Sequence, residues 1–345
     1  MARSGSNVSA VEAAGPPAEL ALGIRRAVES STSVSRSVGS YLELFETGEL
    51  LRRAQALDAR LERCDLCPRA CGVDRKNGKL GYCGIGSLPR VASINVHPWE
   101  EPPISGTRGS GTIFFSGCTL RCIFCQNYPI SQLGVGREMS VDDLASGMLE
   151  LQGKGAHNIN LVTSTHQMPA VVRALLSAAR RGLRIPLVYN SSGYESIETL
   201  RLLEGIIDVY LPDIKYADSE IALKYSGAAD YVGCNREALV EMWRQTGPLR
   251  TDADGIAVKG MIVRHMVLPE DLSGTRDCLS FLARQMGPHV WVSLMNQYFP
   301  AHKGPVTPPL DRKVTREEYD AAFAAMTRLG ILNGFVQECE EQDGA

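Results

Sequence analysis

From Gly111 onward, short apolar runs alternate with stretches in which apolar residues recur at helical spacing. The runs predict strands at Thr112–Phe115, Asn158–Val162, Pro186–Tyr189, Ile207–Leu211, Ala257–Val267 and Val290–Leu294. The periodic stretches predict helices over Val141–Gly153, Pro169–Gly182, Ile197–Leu203, Asn235–Gly247 and Thr275–Met286. Such an alternation predicts an α/β fold with a parallel sheet wound right-handedly. Six units fall short of the eight of a closed TIM barrel, so the expected architecture is a partial, laterally open, TIM-like (β/α)6 barrel. Chemistry in such barrels gathers at the C-terminal strand ends.

The flanks read differently. Residues 1–40 are rich in Ser, Ala, Gly and Val with Pro16-Pro17, and are expected to be a flexible tail, with helical character only over Ala18–Val28. Tyr41–Leu61 predicts an amphipathic helix or helix pair. A helical, Cys-rich, metal-binding extension is therefore expected over 41–105, the barrel over 106–303 and a C-terminal extension over 304–345. In the last, Thr315-Arg-Glu-Glu318 has the pattern of a capping box and predicts a helix to about Leu329, the helical segment of that extension.

Composition narrows the class. With 44% hydrophobic and 22% charged residues the chain reads as an ordinary soluble globular protein. The net charge of −3 provides no basic field for nucleic acid or an anionic membrane. No apolar run reaches the roughly 18 residues of a membrane span, and no secretion signal precedes the fold. A cytoplasmic location is the expectation. There, clustered thiols read as metal ligands rather than disulfides.

Seven of the ten cysteines fall between positions 64 and 125. Cys118, Cys122 and Cys125 form C-x3-C-x2-C directly after the strand-like run Gly111-Thr-Ile-Phe-Phe-Ser-Gly117. Three thiolates on one short loop suit three corners of a 4Fe–4S cubane, leaving one iron open to a small molecule. A partial zinc site or three buried thiols are the bland alternatives. Cys64, Cys67, Cys71 and Cys83 form C-x2-C-x3-C-x11-C among glycine-rich turns, a complete ligand set for either structural zinc or a second cluster.

The remaining strand ends are polar: Thr163-Ser164-Thr165-His166, Tyr189-Asn190-Ser191-Ser192-Gly193, Pro212-Asp213-Ile214-Lys215 and Arg264-His265. Asp213 and Lys215, two apart, point the same way and can pair, a surface ion pair being the alternative. Arg264 offers a planar fork for a carboxylate. His265 points the other way and is expected to be structural. His166 is either a substrate contact or a helix cap.

The cysteine loop resembles the signature of the radical S-adenosylmethionine (SAM) superfamily. The resemblance implies that the open iron is chelated by the amino and carboxylate groups of SAM, and that an electron from the cluster splits SAM to a 5'-deoxyadenosyl radical. It also implies that Phe124 lies near the adenine and that Thr163, Ser164, Thr165, Asn190, Ser192, Asp213 and Arg264 surround the cofactor. Hydroxyls stand where such enzymes often have a glycine-glycine-glutamate holding the cofactor's amino group. More of the chain, from Cys64 to about Gln337, resembles a branch of pyruvate-formate-lyase-activating-enzyme-like proteins of unestablished reaction. The matching elements include Cys64-Asp-Leu-Cys67-Pro-Arg69, Glu100-Glu101-Pro102, Gly155-Ala-His157-Asn158-Ile-Asn160 and Tyr210-Leu-Pro-Asp-Ile-Lys-Tyr216. Asp213, Lys215 and Arg264 match active-site elements of the activators and are the expected catalytic residues. The implied function is hydrogen abstraction from a substrate, either a glycine of a partner glycyl radical enzyme or a small molecule or peptide in a tailoring reaction. An electron donor such as flavodoxin or ferredoxin is then required. A non-catalytic iron–sulfur or zinc protein is the rival from another class, but it needs no polar residues at four successive strand ends.

Overall fold

The computed structural model describes residues 38–337. The expected N-terminal tail lies almost wholly outside them, including its helical stretch.

Ten strands form one sheet: β1 (Arg90–His97), β2 (Ser110–Phe115), β3 (Arg137–Glu138), β4 (Ile159–Val162), β5 (Leu187–Ser191), β6 (Val209–Pro212), β7 (Arg250–Thr251), β8 (Ala257–Met266), β9 (Trp291–Met295) and β10 (Asn333–Val336). Their order is β10-β9-β8-β6-β5-β4-β2-β1-β3, with β7 beside β8. Along that order every neighbouring pair from β2 to β10 is parallel, whereas β7 runs antiparallel to β8, and β1 antiparallel to β2 and to β3. All six predicted strands are present in this mostly parallel α/β sheet. Helices connect them, including Val141–Gly153, Met168–Arg180, Ile197–Leu202, Tyr231–Thr246 and Thr275–Met286. Two boundaries are set by side chains: Ser140 accepts from the Asp143 amide, and Thr315 and Glu318 form the expected capping box at the start of Arg316–Arg328. The N-terminal amphipathic stretch is a helix pair, Tyr41–Glu46 and Glu49–Ala59, broken at Gly48.

Both faces of the parallel strands are buried, which is why they read as apolar runs. Alternate residues go to different cores. Leu187 and Tyr189 join the main core with the connecting helices. Val188, Val209, Leu211, Ala257 and Ile262 form a smaller cluster on the other face, closed by Ile104 from the short helix Pro102–Ser105. That helix belongs to the β1–β2 connection. Because it leads into the start of β2, it covers the end of the sheet opposite to the strand C-termini. A fully buried Asn158 at the head of β4 fixes it, donating from Nδ2 to the Ile104 carbonyl at 2.8 Å and accepting from the Ser110 hydroxyl at 2.7 Å.

Candidate active site

β2 ends at Phe115, and the chain turns at Gly117 into the cysteine loop. Gly117 sits at φ +81°, and a Cβ there would lie 2.6 Å from the Cys83 carbonyl oxygen, so only glycine fits. Cys118 and Cys122 are buried and Cys125 half-buried. Their sulfurs are met by donors. The Ser226 hydroxyl donates to Cys122 Sγ at 2.9 Å, the Leu120 amide lies 3.4 Å from Cys118 Sγ, and the Ser131 hydroxyl is 3.3 Å from Cys125 Sγ. Burial pushes the Cys122 thiol up to about 12, while the Lys215 ammonium opposes that rise. A buried thiol ringed by donors and a cation is suited to bind as a thiolate, so the donor set fits an iron–sulfur cluster. Among the described residues no three His, Cys, Asp or Glu side chains converge on a single metal ion. A cubane does not require that convergence, since each thiolate grips its own iron.

Lys215 links this loop to the strand ends. Its Nζ donates to Asp213 Oδ2 at 2.5 Å, and Arg264 Nε donates to Asp213 Oδ1 at 2.9 Å. Arg264 Nη2 donates to Asn190 Oδ1 at 2.7 Å. The three charged side chains are only 12–19% exposed. Burial alone would raise the Asp213 pKa, but the charges and hydrogen bonds of Arg264 and Lys215 outweigh it, and the carboxyl is held below the usual range. It is therefore an ionised anchor between two cations. The pairing expected for Asp213 and Lys215 is present, and it is a buried one.

The other residues expected at the cofactor divide. Phe124 is buried, with its ring edge-on to Tyr216 and Tyr298. Thr163 occupies the left-handed region at φ +56°, a strained conformation for a β-branched residue at a strand end. Ser164 is fully buried and its hydroxyl has no partner. Ser192 is half-buried, and its carbonyl accepts from the Tyr231 hydroxyl. Thr165 is already engaged: its hydroxyl donates to Glu195 Oε1 at 2.8 Å and accepts from the Tyr189 hydroxyl at 2.9 Å. His166 is buried with Nε2 2.9 Å from the Ser116 carbonyl, and burial pulls it down to about 4, so it is a neutral support beneath the cysteine loop. His265 is likewise buried, between the Ile214 carbonyl and Thr275 Oγ1, as expected of a structural residue.

Cys64, Cys67 and Cys83 are buried and Cys71 is exposed. Their segment rests on the cysteine loop: Arg69 Nε donates to the Thr119 carbonyl at 2.9 Å and the Tyr82 hydroxyl to the Leu120 carbonyl at 3.1 Å. Buried Arg75 lies 3.6 Å from Cys64 Sγ.

Two glutamates that sequence reasoning left without a role also reach the charged group. Glu100 and Glu101, just before the short helix, raise the pKa of Arg264 together with Asp213, against the opposing effect of burial. Their only signal in the sequence was the Glu-Glu-Pro triplet.

The arrangement is an α/β protein with a three-cysteine loop at the end of its first parallel strand and an ionised Asp–Lys–Arg group beside it. Residues 112–246 match the model of the radical SAM superfamily and form a radical SAM domain. Such a domain implies a 4Fe–4S cluster and SAM. The chain is similar to two uncharacterized proteins of Methanocaldococcus jannaschii. One is 28% identical over 269 residues, covering 76% of this chain and 73% of the relative. The other is 27% identical over 184 residues, covering 47% of this chain and 51% of the relative, so the chain spans about half its length. Among solved structures, a radical SAM methyltransferase from Sphaerobacter thermophilus aligns at TM-score 0.43 with 11% identity, over 66% of this chain and 65% of that one. HydG, a maturase of the FeFe-hydrogenase, aligns at TM-score 0.43 with 9% identity, over 64% of this chain and 48% of its own. At those scores neither structure carries an argument about this chain's reaction. Among the described residues, no helix is long and apolar enough to cross a membrane.

Proposed function

We propose that this chain is a radical SAM enzyme that abstracts hydrogen from a small polar substrate held against the inner face of its parallel strands, which curve into an open barrel. Cys118, Cys122 and Cys125 would hold a 4Fe–4S cluster with one iron open to SAM, and that cluster would supply the electron for reductive cleavage of SAM and so the means of hydrogen-atom abstraction from the substrate. The residues of the chain bind, orient and exclude water. Lys215 bridges the cysteine loop and Asp213; Asp213 fixes the Arg264 fork; Ser164 has a free buried hydroxyl for the cofactor's polar groups. The observation that carries the reading is the contact chain Lys215–Asp213–Arg264 at the strand ends, with the Lys215 charge acting on Cys122 of the cysteine loop. Activation of a glycyl radical enzyme is the reading raised by the resemblance to activators. The charged side chains on the inner face favour a small polar substrate instead.

A second centre at Cys64, Cys67, Cys71 and Cys83 is part of this reading. Direct packing against the cysteine loop favours an iron–sulfur cluster that relays electrons from a flavodoxin- or ferredoxin-like donor, with structural zinc as the other outcome. The test uses anaerobically reconstituted full chain with dithionite and SAM. Wild type is expected to form 5'-deoxyadenosine and Cys122→Ala none above background; equal yields refute the assignment. Iron counts in the same samples separate about eight irons from about four irons plus one zinc.

A further inference from the structure

The β1–β2 connection carries two adjacent carboxyls into the interior from the end of the sheet opposite the cysteine loop. Backbone bonds hold them there. The Glu101 carbonyl accepts from the Ile104 amide at 2.7 Å, and the Glu100 amide donates to the Ser105 hydroxyl at 2.8 Å. Ile104 is anchored in the smaller apolar cluster and Asn158 clamps its carbonyl. The glutamates therefore cannot swing out to solvent without unseating a packed helix.

Once inside, Glu101 is not satisfied. Glu101 is 9% exposed and its Oε2 has no hydrogen-bond partner. Asn160, on β4, is fully buried and faces Glu100, yet neither its amide nitrogen nor its oxygen has a partner of good geometry. A buried carboxylate oxygen without a partner, and a buried amide met only loosely by the Glu100 carboxyl, each carry a desolvation cost. Charge balance points the same way. Glu100, Glu101 and Asp213 face two cations, Arg264 and Lys215, leaving one negative charge in excess when all are ionised. Burial first, and the neighbouring Glu101 charge second, push the Glu100 carboxyl up to about 7. With Glu100 ionised, the group is one positive charge short of balance.

We infer that Glu101, Glu100 and Asn160 form the substrate-recognition subsite, and that it takes a primary amine or guanidinium with an oxygen acceptor next to it. The cationic N–H groups satisfy Glu101 Oε2 and Asn160 Oδ1, and the oxygen accepts from Asn160 Nδ2. The substrate then lies between the glutamates at one end of the interior and the Asp213–Arg264 pair on the way to the cysteine loop. This inference rests on the radical SAM reading and deepens it by naming the substrate class.

The experiment titrates reconstituted, SAM-loaded full chain with ethanolamine and glucosamine. The uncharged counterparts ethylene glycol and glucose serve as controls, and binding is followed by calorimetry. At least one amine should bind about tenfold or more tighter than its counterpart, as expected of a charge-assisted hydrogen bond. That preference should disappear in Glu101→Gln and fall in Glu100→Gln. If Glu101→Gln does not fold, Asn160→Ser removes the amide without adding volume and should weaken amine binding likewise. The inference is overturned if no amine is preferred by wild type, if folded Glu101→Gln keeps the preference, or if an amine binds only by displacing SAM. Substrate-independent 5'-deoxyadenosine formation by wild type is measured in the same preparations. If it occurs and amine preference does not, the subsite is wrong and the radical SAM reading stands; if it is absent, both fall.

Discussion

Replacing Asp213 by Asn preserves shape and removes the charge that holds Arg264 and Lys215 together. Both partners contact it directly, Lys215 at 2.5 Å and Arg264 at 2.8 Å, and the three side chains are 12%, 19% and 17% exposed respectively for Asp213, Lys215 and Arg264. Solvent therefore screens the pair little. Breaking a buried pair by removing one partner costs about 3–5 kcal/mol, because the other charge stays buried and uncompensated. The lower end applies here, since the two cations retain Asn190 and a polar surround. About 3 kcal/mol corresponds to a fall of roughly 6–12 °C in Tm for a domain of this size. The pH dependence has a fixed sign. The folded pKa of Asp213 lies below its unfolded value. Its contribution is thus complete above the usual carboxylate range, near pH 4, and is lost as pH falls through the lower folded value. Thermal unfolding by circular dichroism should show the full deficit of Asp213→Asn at pH 7 and a smaller one in strong acid. Adding Lys215→Met should recover part of the loss, as coupled neighbours do in a double-mutant cycle. A Tm for Asp213→Asn within about 2 °C of wild type at pH 7 would refute the view that this carboxylate anchors two buried cations.

Other expectations follow from single contacts. Ser226→Ala removes the hydroxyl donated to Cys122 Sγ, so the reduced cluster loses a stabilising donor and its midpoint potential should move more negative in an EPR-monitored redox titration; an unchanged potential would count against Cys122 as a ligand. Glu195 is buried, and burial outweighs the hydrogen bonds from Thr165 and Tyr189 to push its carboxyl up to about 7. A carboxyl with a raised folded pKa favours the folded state less as pH climbs from about 4.5 to about 7, so wild type should lose on the order of 3 kcal/mol over that window and Glu195→Gln should not, as read by urea midpoints. Gly193 adopts φ +70° with the Asp213 carbonyl and the Asn235 amide where a Cβ would go; Gly193→Ala should therefore lower stability by several kcal/mol and displace the anchor, seen as a loss of soluble, iron-loaded protein.

The sheet was legible where burial is two-sided. β5 is buried at all five positions, and its first three residues, Leu187-Val-Tyr189, are an apolar run. β10 was not legible, because Asn333-Gly334 opens it and all four residues are only half-buried; it joins the sheet through parallel pairing with β9, a tertiary fact. β1 was missed for a similar reason, its alternation blurred by a register shift between Val91 and Ser93. In the site, Asp213 and Arg264 were legible because strand C-termini are where a parallel sheet collects polar groups. Glu195 was not, since nothing local shows that it meets Thr165 and Tyr189 from the next loop. Glu100 and Glu101 were not, because they arrive from the opposite end.

That opposite arrival bears on how hydrogen abstraction would be confined. A reactive radical needs its target held close and water excluded. The cysteine loop, Lys215 and Asp213 define one end of the interior, and the clamped 98–109 connection defines the other. Arg264 contacts Asp213 at one end and feels the Glu100 and Glu101 carboxylates from the other. Neutralising Glu100 and Glu101 by a bound cation leaves Asp213 as the sole anionic partner of Arg264. The guanidinium is then drawn more firmly toward the strand C-termini, where the cofactor would sit. Substrate binding at one end would thereby tighten the geometry at the other through a single side chain, without a moving lid.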